Sequence, residues 1–514
     1  MLRTICSCSC QLLIIIHMNM KRSLLSLALL SSLVLSACGD TTDDADQPDD
    51  ADAEATGADD GGGEEGTENE DEETEELEET EPVEPSDRET RQVGGPEPRL
   101  VVTHDGGVAV LDGVSTELLG NFAVEASARV SEAGDGRHAF IAEEQSFRLL
   151  DVGTWGAPHG DHNDYFTTDP VLTDTSIEGE SAAHMSSHGR MGTVFFDGSG
   201  EYHWFQLEDL DAETELETES AESEGTDEGL AVVLDDGSRV HASGADTDAR
   251  VVDADGEERA RSQDCPGIEG QASGPEGVLV LGCEDGVLVW TGDDFEKIET
   301  GEERSGIGHL VGSEESPVFL GDYRTAEDGP MTEVALVNTS SGEITTTSVD
   351  VSYEARNLQR GPDGEALVLT DDGQLHIIDA DSGEHLEHLQ VVEEWTQAEG
   401  SEVPSPTIGA SGDLVYVTDP EARQIHIVDL TEGEVIVSGD LDFVPNDFVV
   451  VDGRPIEGVS EEYDGDHEDH GHEDHDHDDH GHDDEHDHGH DNEEHGHDEH
   501  GHDDHHDDDE HHDH

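Results

Sequence analysis

The middle of the chain is a succession of short stretches in which hydrophobic and polar residues alternate. Segments such as "RLVVTHDGGVAVLDG", "GVLVLGCEDGVLVW" and "LVYVTDPEARQIHIVDL" each hold two such stretches, joined by a turn. Alternation with a period of two is typical of half-buried β-strands, and Asp-Gly pairs supply the positive φ values of hairpin turns. Residues 98–458 are therefore predicted to be all-β.

The strand pairs recur at a roughly regular interval along the chain. One apolar stretch per unit can be assigned at Val101, Ala139, Thr193, Ala231, Val278, Val318, Leu367 and Val415. The spacing of roughly 40 to 55 residues is that of a four-stranded propeller blade. We predict a β-propeller over residues 98–458, with eight blades favoured and seven possible because the spacing is uneven. An irregular β-sandwich is the alternative, but it gives no reason for the unit to recur.

Both flanks of this region lack the periodicity. Residues 38–97 are dominated by Asp, Glu, Gly and Thr, and residues 459–514 mostly by His, Asp, Glu and Gly. Such compositions cannot bury enough apolar surface to fold. We predict a disordered acidic linker over 38–97, with weak cation binding as an alternative role, and a disordered metal-binding tail over 459–514.

The N-terminus has the order of features of an export signal. The stretch "MKRSLLSLALLSSLVLSAC" contains two cations, an apolar run too short for a permanent membrane span, and then Cys38. Its ending resembles a bacterial lipobox, so we predict a signal peptide over residues 1–37, translation starting at Met20, and lipidation of Cys38. An ordinary secretory peptide with a chance Cys is the alternative. Either way the protein is expected outside the cytoplasm, lipid-anchored in the bacterial cell envelope if the lipobox is used.

The charge balance restricts the possible partners. The chain has 21 Lys and Arg against 132 Asp and Glu, a formal net charge of -111. Binding to nucleic acid or to anionic lipid by charge requires clustered cations, so neither is expected, and membrane contact should come through the lipid anchor only. Adaptation to high salt would also explain the acidity. It does not explain the histidines.

Nineteen His residues lie between His467 and His514. Imidazole and carboxylate are both zinc ligands, and their dense spacing allows many alternative ligand sets of modest affinity. The sequence therefore predicts Zn²⁺ capture by the tail, whereas a purely solvating tail would have no use for His. Ni²⁺ and Cu²⁺ would bind as well, so the tail is not selective. The candidate ligands are His467, His470, His472, His475, His477, His480, His482, His486, His488 and His490.

Histidines also cluster in two places within the predicted propeller. "HGDHNDYF" contains His159, His162 and Asp164, and "AHMSSHGRMGTVFFDG" contains His184 and His188. Both segments are expected in the long connection between the second and third units. We predict a four-coordinate zinc site of His162, His184 and His188, with His159 and Asp164 as further ligands or as groups that orient a ligand. The alternative is that these are solvated loop histidines.

Two cysteines lie inside the predicted propeller, Cys265 and Cys283. An even pair in an exported domain most often forms a disulfide. A metal-thiolate pair is the alternative, although no CxxC spacing supports it.

Several of these segments together resemble the AztD-type zinc metallochaperones, a family of secreted bacterial β-propellers. The resemblance rests on "HGDHNDYF", "AHMSSHGRMGTVFFDGSGE", "CPGIEGQASGPEGVLVLGCEDGVLVW", "PVFLGDY" and "LVYVTDPEARQIHIVDL". It implies that the histidine motifs of the family fall on His159, His162, His184 and His188. It also implies that the protein hands Zn²⁺ to the solute-binding protein of a zinc ABC transporter.

The chain departs from that family pattern at four positions. Asp164 and Glu269 stand where the family has His, and Asp227 and Glu228 in "TDEGLAV" stand where it has a His-containing motif. Carboxylates can ligate zinc, so the departures imply either a weaker site or the loss of one.

Three functions are compatible with the sequence: a zinc chaperone, a passive metal buffer at the cell surface, and a propeller enzyme. The chaperone is favoured because both the tail and the propeller carry candidate ligands. An enzyme is not expected, since the sequence has no nucleophile elbow and no Ser/His/Asp arrangement with local support. We expect a monomer.

Overall fold

In the computed structural model, the described part of the chain is residues 77, 79–80, 83 and 85–461, apart from 224–228, 244–246, 302–304, 327–328 and 397–402. Short 3₁₀ helices lie at Pro85–Asp87, Leu207–Asp209, Pro275–Gly277 and Ala355–Asn357. No helix in these ranges is long and apolar enough to cross a bilayer. The signal peptide, Cys38 and the tail histidines lie outside the described residues.

Nearly all regular structure in the described ranges is β-strand. The strands are β1 (Arg91–Val93), β2 (Arg99–His104), β3 (Gly107–Asp112), β4 (Leu118–Ala123), β5 (Arg129–Glu132), β6 (His138–Ala142), β7 (Ser146–Asp151), β8 (Thr154–His159), β9 (His162–Thr167), β10 (Val171–Glu178), β11 (Ala182–His188), β12 (Met191–Phe196), β13 (Glu201–Gln206), β14 (Glu219–Glu222), β15 (Gly229–Val233), β16 (Arg239–Ser243), β17 (Ala249–Val252) and β18 (Glu258–Ser262). They continue with β19 (Glu269–Ser273), β20 (Leu279–Cys283), β21 (Gly286–Trp290), β22 (Phe295–Glu299), β23 (Leu310–Ser313), β24 (Ser316–Asp322), β25 (Met331–Asn338), β26 (Glu343–Tyr353), β27 (Leu358–Arg360), β28 (Ala366–Leu369), β29 (Gln374–Ile378), β30 (His385–Gln390), β31 (Ile408–Ser411), β32 (Leu414–Asp419), β33 (Gln424–Asp429), β34 (Glu434–Asp440) and β35 (Asp447–Val451).

These strands form eight four-stranded antiparallel sheets, which we number as blades. The first blade has the order β35-β2-β3-β4 and the second β5-β6-β7-β10; the third to eighth are β11–β14, β15–β18, β19–β22, β23–β26, β27–β30 and β31–β34. The ring closes because β35, from the end of the domain, pairs with β2 from its start and contacts both β5 and β31. The predicted β-propeller is confirmed, with the favoured count of eight blades.

The repeating unit of the sequence corresponds to one blade, but its phase differs from the prediction. The apolar stretch counted as the start of each unit forms, or directly precedes, the second strand of the blade in seven cases, for example β6 at Ala139. In the fourth blade Ala231 lies in the first strand, β15. The second strand is the most conspicuous in sequence because neighbouring blades cover both its faces, so β20 is buried at all five positions. The outermost strand β34 alternates between exposed and half-buried positions.

The core is divided among the interfaces between blades. Between the second and third blades, Phe140, Phe147, Phe196 and Phe205 are almost completely buried. The rings of Phe147 and Phe196 meet edge to face with centroids 5.3 Å apart. Such contacts contribute roughly 0.5–1.5 kcal/mol beyond the burial of apolar area. Val459 packs in the same cluster, so the first residue of the predicted tail is still attached to these blades.

Cys265 and Cys283 form a disulfide with their Cα atoms 5.1 Å apart. Cys283 ends β20, Cys265 lies in the loop before β19, and both are buried. The bond therefore ties the entry of the fifth blade to its second strand.

Replacing both cysteines by Ser is expected to lower the free energy of unfolding by about 3 kcal/mol, because closure of a loop of this length restricts the unfolded chain. Denaturant unfolding of the protein and the C265S/C283S variant, each with and without reductant, measures the effect. Reductant should destabilise only the parent protein. Equal midpoints for the oxidised parent and the variant would contradict the prediction.

Candidate metal site

A β-hairpin of β8 and β9 is inserted between the third and fourth strands of the second blade. Its turn is Gly160–Asp161, and Gly160 has a φ of +64°, which a Gly adopts without strain. The segment β1 pairs with β9, so the hairpin belongs to a separate three-stranded sheet of order β1-β9-β8. The segment "HGDHNDYF" is thus the tip and second strand of a hairpin within one blade, and not a loop between two blades.

The register of the hairpin places the predicted ligands on one face. His159 pairs directly with His162 across the turn, and Asp164 is two residues further along β9. Opposed residues and residues two apart project to the same side of a sheet. One ligand atom from each of His159, His162 and Asp164 falls within a group whose members lie within 4.8 Å of one another. Local strand pairing alone therefore assembles this group.

The distances within the group suit a zinc ion. His159 Nδ1 is 2.9 Å from Asp164 Oδ2, and His162 Nε2 is 3.8 Å from Asp164 Oδ1. Ligand atoms on a tetrahedral zinc are about 3.3 Å apart, given metal–ligand bonds of about 2.0–2.1 Å. The imidazole centroids are 4.9 Å apart, against roughly 5 Å for two imidazoles on one tetrahedral ion. Small rotations of the side chains would complete a three-ligand site with a fourth position open.

Asp164 has two possible roles in such a site. Its carboxylate accepts a hydrogen bond from Gln92 Nε2 at 2.9 Å and is only 14% exposed, so its position is held. The carboxylate also accepts from His159 Nδ1, which leaves the lone pair of His159 on Nε2. Asp164 can therefore ligate the ion itself or orient His159 as a ligand. His162 is 57% exposed, which leaves one side of the site open to exchange.

His184 and His188 lie elsewhere, in β11, the first strand of the third blade. Four residues along a strand span about 13 Å, so the two imidazoles cannot share an ion in this conformation. Neither belongs to the hairpin group. The expectation that both histidines lie in a connecting loop is wrong, since the segment is a strand.

The environments of these two histidines also differ. His188 is buried and its Nε2 donates to the carbonyl of Gly277 at 3.1 Å. His184, the third residue of β11, is exposed to solvent, but enough protein lies nearby to desolvate its imidazole. The resulting desolvation lowers the pKa of its imidazole and favours the neutral form that binds metals.

The structure describes only some of the carboxylates that replace histidines of the family pattern. Glu269 begins β19 and forms an ion pair with Arg324. A carboxylate held by a guanidinium is a poorer metal ligand, because the cation must be displaced. Asp227 and Glu228 fall outside the described residues.

The sequence did not indicate that both ends of the domain converge on the hairpin. Gln92 comes from β1, at the end of the acidic linker, and residues 453–455 pack against Gly156 in β8. A Cβ atom at Gly156 would meet Pro455 Cδ at 2.6 Å and the Gly453 carbonyl oxygen at 2.9 Å, so only glycine permits this approach. Ala157 of the hairpin and Glu461, near the start of the predicted tail, line one cavity of about 640 Å³. These contacts join residues that are far apart in sequence, so no local sequence pattern predicts them.

Comparison with known proteins was made for sequence and structure. No protein-family model matches the chain. The zinc chaperone AztD of Citrobacter koseri is 26% identical over 384 residues, covering 69% of this chain and 86% of the relative.

Solved structures show the same relationship at the level of the fold. The crystal structure of Citrobacter koseri AztD has a TM-score of 0.62 and 22% identity, and covers 69% of this chain and 98% of that one. The apo structure of the same protein has a TM-score of 0.60 and 21% identity, with the same coverage. The resemblance of this chain to the AztD-type zinc chaperones, predicted from its motifs, is therefore confirmed.

Proposed function

We propose that this protein is an extracytoplasmic zinc chaperone, which captures Zn²⁺ and passes it to the solute-binding protein of a zinc ABC transporter. The observation that carries the proposal is the His159–His162–Asp164 group on the inserted hairpin. The similarity to a zinc chaperone over 69% of the chain supports it. Zn²⁺ is the cargo in this proposal, and the protein carries out no chemical conversion.

The geometry of the hairpin suits transfer better than storage. A site with three protein ligands leaves the fourth position of a tetrahedral ion open to an incoming ligand. The exposure of His162 lets an imidazole or carboxylate of a partner approach the ion. Release can then proceed by stepwise exchange of ligands, without an intermediate in which the ion is free.

The tail is long enough to deliver zinc to the hairpin. His467 is six residues beyond Glu461, which corresponds to at most about 20 Å of extended chain. Glu461 lines one cavity with Ala157, which is two residues from His159, or about 7 Å along β8. The first imidazoles of the tail can therefore reach the hairpin, and we propose that the tail collects Zn²⁺ and supplies this site.

We propose further that Cys38 carries a lipid that anchors the protein, as a monomer, in the bacterial cell envelope. The acidic linker would then hold the propeller away from the membrane surface. The order of n-region, apolar run and lipobox supports this part of the proposal. The negative net charge, which disfavours association with anionic lipid, makes the lipid the membrane contact.

A competitive zinc titration tests the proposal. The exported chain and a chain truncated after Glu461 are each titrated against a chelator of known affinity. Truncation is expected to remove many weak equivalents and to leave one tight equivalent on the propeller. Loss of all tight binding on truncation would instead favour the passive buffer.

Transfer is measured by mixing the zinc-loaded truncated protein with the apo solute-binding protein. A transfer rate that rises with acceptor concentration is expected, since it indicates direct ligand exchange. A rate that is independent of the acceptor and equal to the rate of zinc loss to a chelator would contradict the chaperone role.

A further inference from the structure

A second group of histidines lies on the outer strands of the seventh blade. His376 is in β29, the third strand, and pairs directly with His388 in β30, the outermost strand. His385, at the start of β30, is on the same part of the surface. The ring of His376 is 5.6 Å from that of His385 and 6.1 Å from that of His388. Two imidazoles on one tetrahedral ion have centroids roughly 5 Å apart, so the rings of His385 and His388 must move towards His376 by up to about 1 Å to share an ion with it.

His376 is the central residue of this group and its ring nitrogens are unsatisfied. Both Nδ1 and Nε2 are buried without a hydrogen-bond partner in the described structure. A buried imidazole that makes no hydrogen bond pays the full desolvation cost of its polar atoms. A metal ion bound to one ring nitrogen would satisfy one of these two polar atoms.

His385 is oriented as metal-binding histidines commonly are. Its Nε2 lies 2.9 Å from the carbonyl oxygen of Ser348, which can only accept, so Nε2 carries the proton. The lone pair of His385 is then on Nδ1. A hydrogen bond from one ring nitrogen to a backbone carbonyl is the usual way in which the other nitrogen is prepared for a metal.

His376 is half-buried, whereas the two histidines of β30 lie at the surface. His385 and His388 are exposed, so they can turn towards a shared ion without disturbing the core.

We propose that His376, His385 and His388 form a second metal site, which binds a divalent transition-metal ion such as Zn²⁺ with water completing the coordination. The site is on the seventh blade, apart from the hairpin of the second blade, and does not depend on the proposed transfer function. Imidazole ligands without sulfur suit Zn²⁺, Ni²⁺ and Cu²⁺. It adds a fixed metal site to the propeller, away from both histidine clusters found in the sequence.

Carbethoxylation of histidines, read by mass spectrometry, tests this site in the full chain. It follows each imidazole separately, so binding to the tail does not obscure the result. Titration with Zn²⁺ to saturation is expected to lower the labelling of both His385 and His388. The two decreases should have the same midpoint zinc concentration. In the H376A variant this midpoint should move to at least about 10-fold higher zinc, because a ligand has been lost.

The matched control is the H203A variant. His203 is also half-buried in the third strand of a blade, but hydrogen-bonds to Thr218 Oγ1. This variant should leave the midpoint unchanged. If H376A does not fold, H388A replaces it, because His388 is exposed, and His385 becomes the reporter.

Two outcomes would overturn the proposal. One is labelling of His385 and His388 that zinc does not change. The other is zinc protection of His385 or His388 from labelling that stays the same when another histidine of the group is replaced. Either result, with His159 and His162 still protected, would leave the proposed transfer function standing. If zinc protected His385 and His388 but not His159 and His162, the proposed transfer function would be contradicted and the site on the seventh blade would stand.

Discussion

Replacing His159 and His162 together by Ala is expected to lower the zinc affinity of the propeller at least about 100-fold. The two imidazoles are two of the three candidate ligands of the hairpin group, and Asp164 alone would be a weak monodentate or bidentate ligand. Removal of a group that merely orients a ligand already costs about 10–100-fold. Both side chains lie at the tip of an inserted hairpin, so the blades should remain folded.

The measurement is a chelator competition on chains truncated after Glu461, which removes the tail histidines. The control is H203A in the same truncated chain, since His203 belongs to neither histidine group. Replacing His184 and His188 by Ala should have a smaller effect than the hairpin variant, because β11 holds them apart from the cluster and from each other. If the hairpin variant retained one tight equivalent while the His184/His188 variant lost it, the assignment would be wrong.

The second large effect is expected on stability, from Asp151→Asn at the end of β7. Asp151 is completely buried and accepts hydrogen bonds from Arg88 Nη2 at 2.7 Å, from Arg137 Nη2 at 2.8 Å and from the Gly153 amide. Asparagine has the same shape but no charge, so two guanidinium groups would lose their counterion. Breaking a buried ion pair in this way costs about 3–5 kcal/mol. We expect a loss of this size in the free energy of unfolding.

The effect of Asp151 should depend on pH in a defined direction. Despite burial, which acts in the opposite direction, Arg137, His138 and Arg88 hold the pKa of this carboxyl well below its usual range. Its stabilisation is therefore complete above the unfolded pKa of about 3.9 and is lost as the pH falls below that value. The difference in stability between the protein and D151N should be largest near neutral pH and shrink in acid.

Denaturant unfolding at fixed salt, at pH 7 and again below pH 4, measures both features. The matched control is D174N, which removes an exposed carboxylate from β10 in the same blade and should change stability by less than about 0.5 kcal/mol. Equal stability of D151N and D174N at pH 7 would refute the argument. Arg137 also lies over the Trp155 ring, 4.3 Å from its centroid, so D151N should loosen the base of the β8–β9 hairpin as well.

Much of the fold could be predicted because it is encoded locally. Alternating apolar positions and Asp-Gly turns determine strands and hairpins within about ten residues, and their recurrence gave the number of blades. The ligand types were equally evident, since His159, His162 and Asp164 are brought together by a single two-residue turn. The disulfide joins the two cysteines of the predicted propeller.

The remaining features required the tertiary structure because they join residues that are distant in sequence. Ring closure pairs β35 with β2, and β1 adds a strand to a hairpin some seventy residues away. The separation of His184 from His188 depends on β11 being the first strand of a blade, whereas a loop could have folded them together.

The histidine group of the seventh blade illustrates the same division. His385 and His388 are near one another in the chain, but His376 joins them only through the register of β29 and β30. The sequence by itself therefore determined where most of the strands form and which side chains are of a type that can ligate zinc. Only the packing of blades around a ring decided which of those residues meet, because strand register and blade order depend on contacts that span the whole domain.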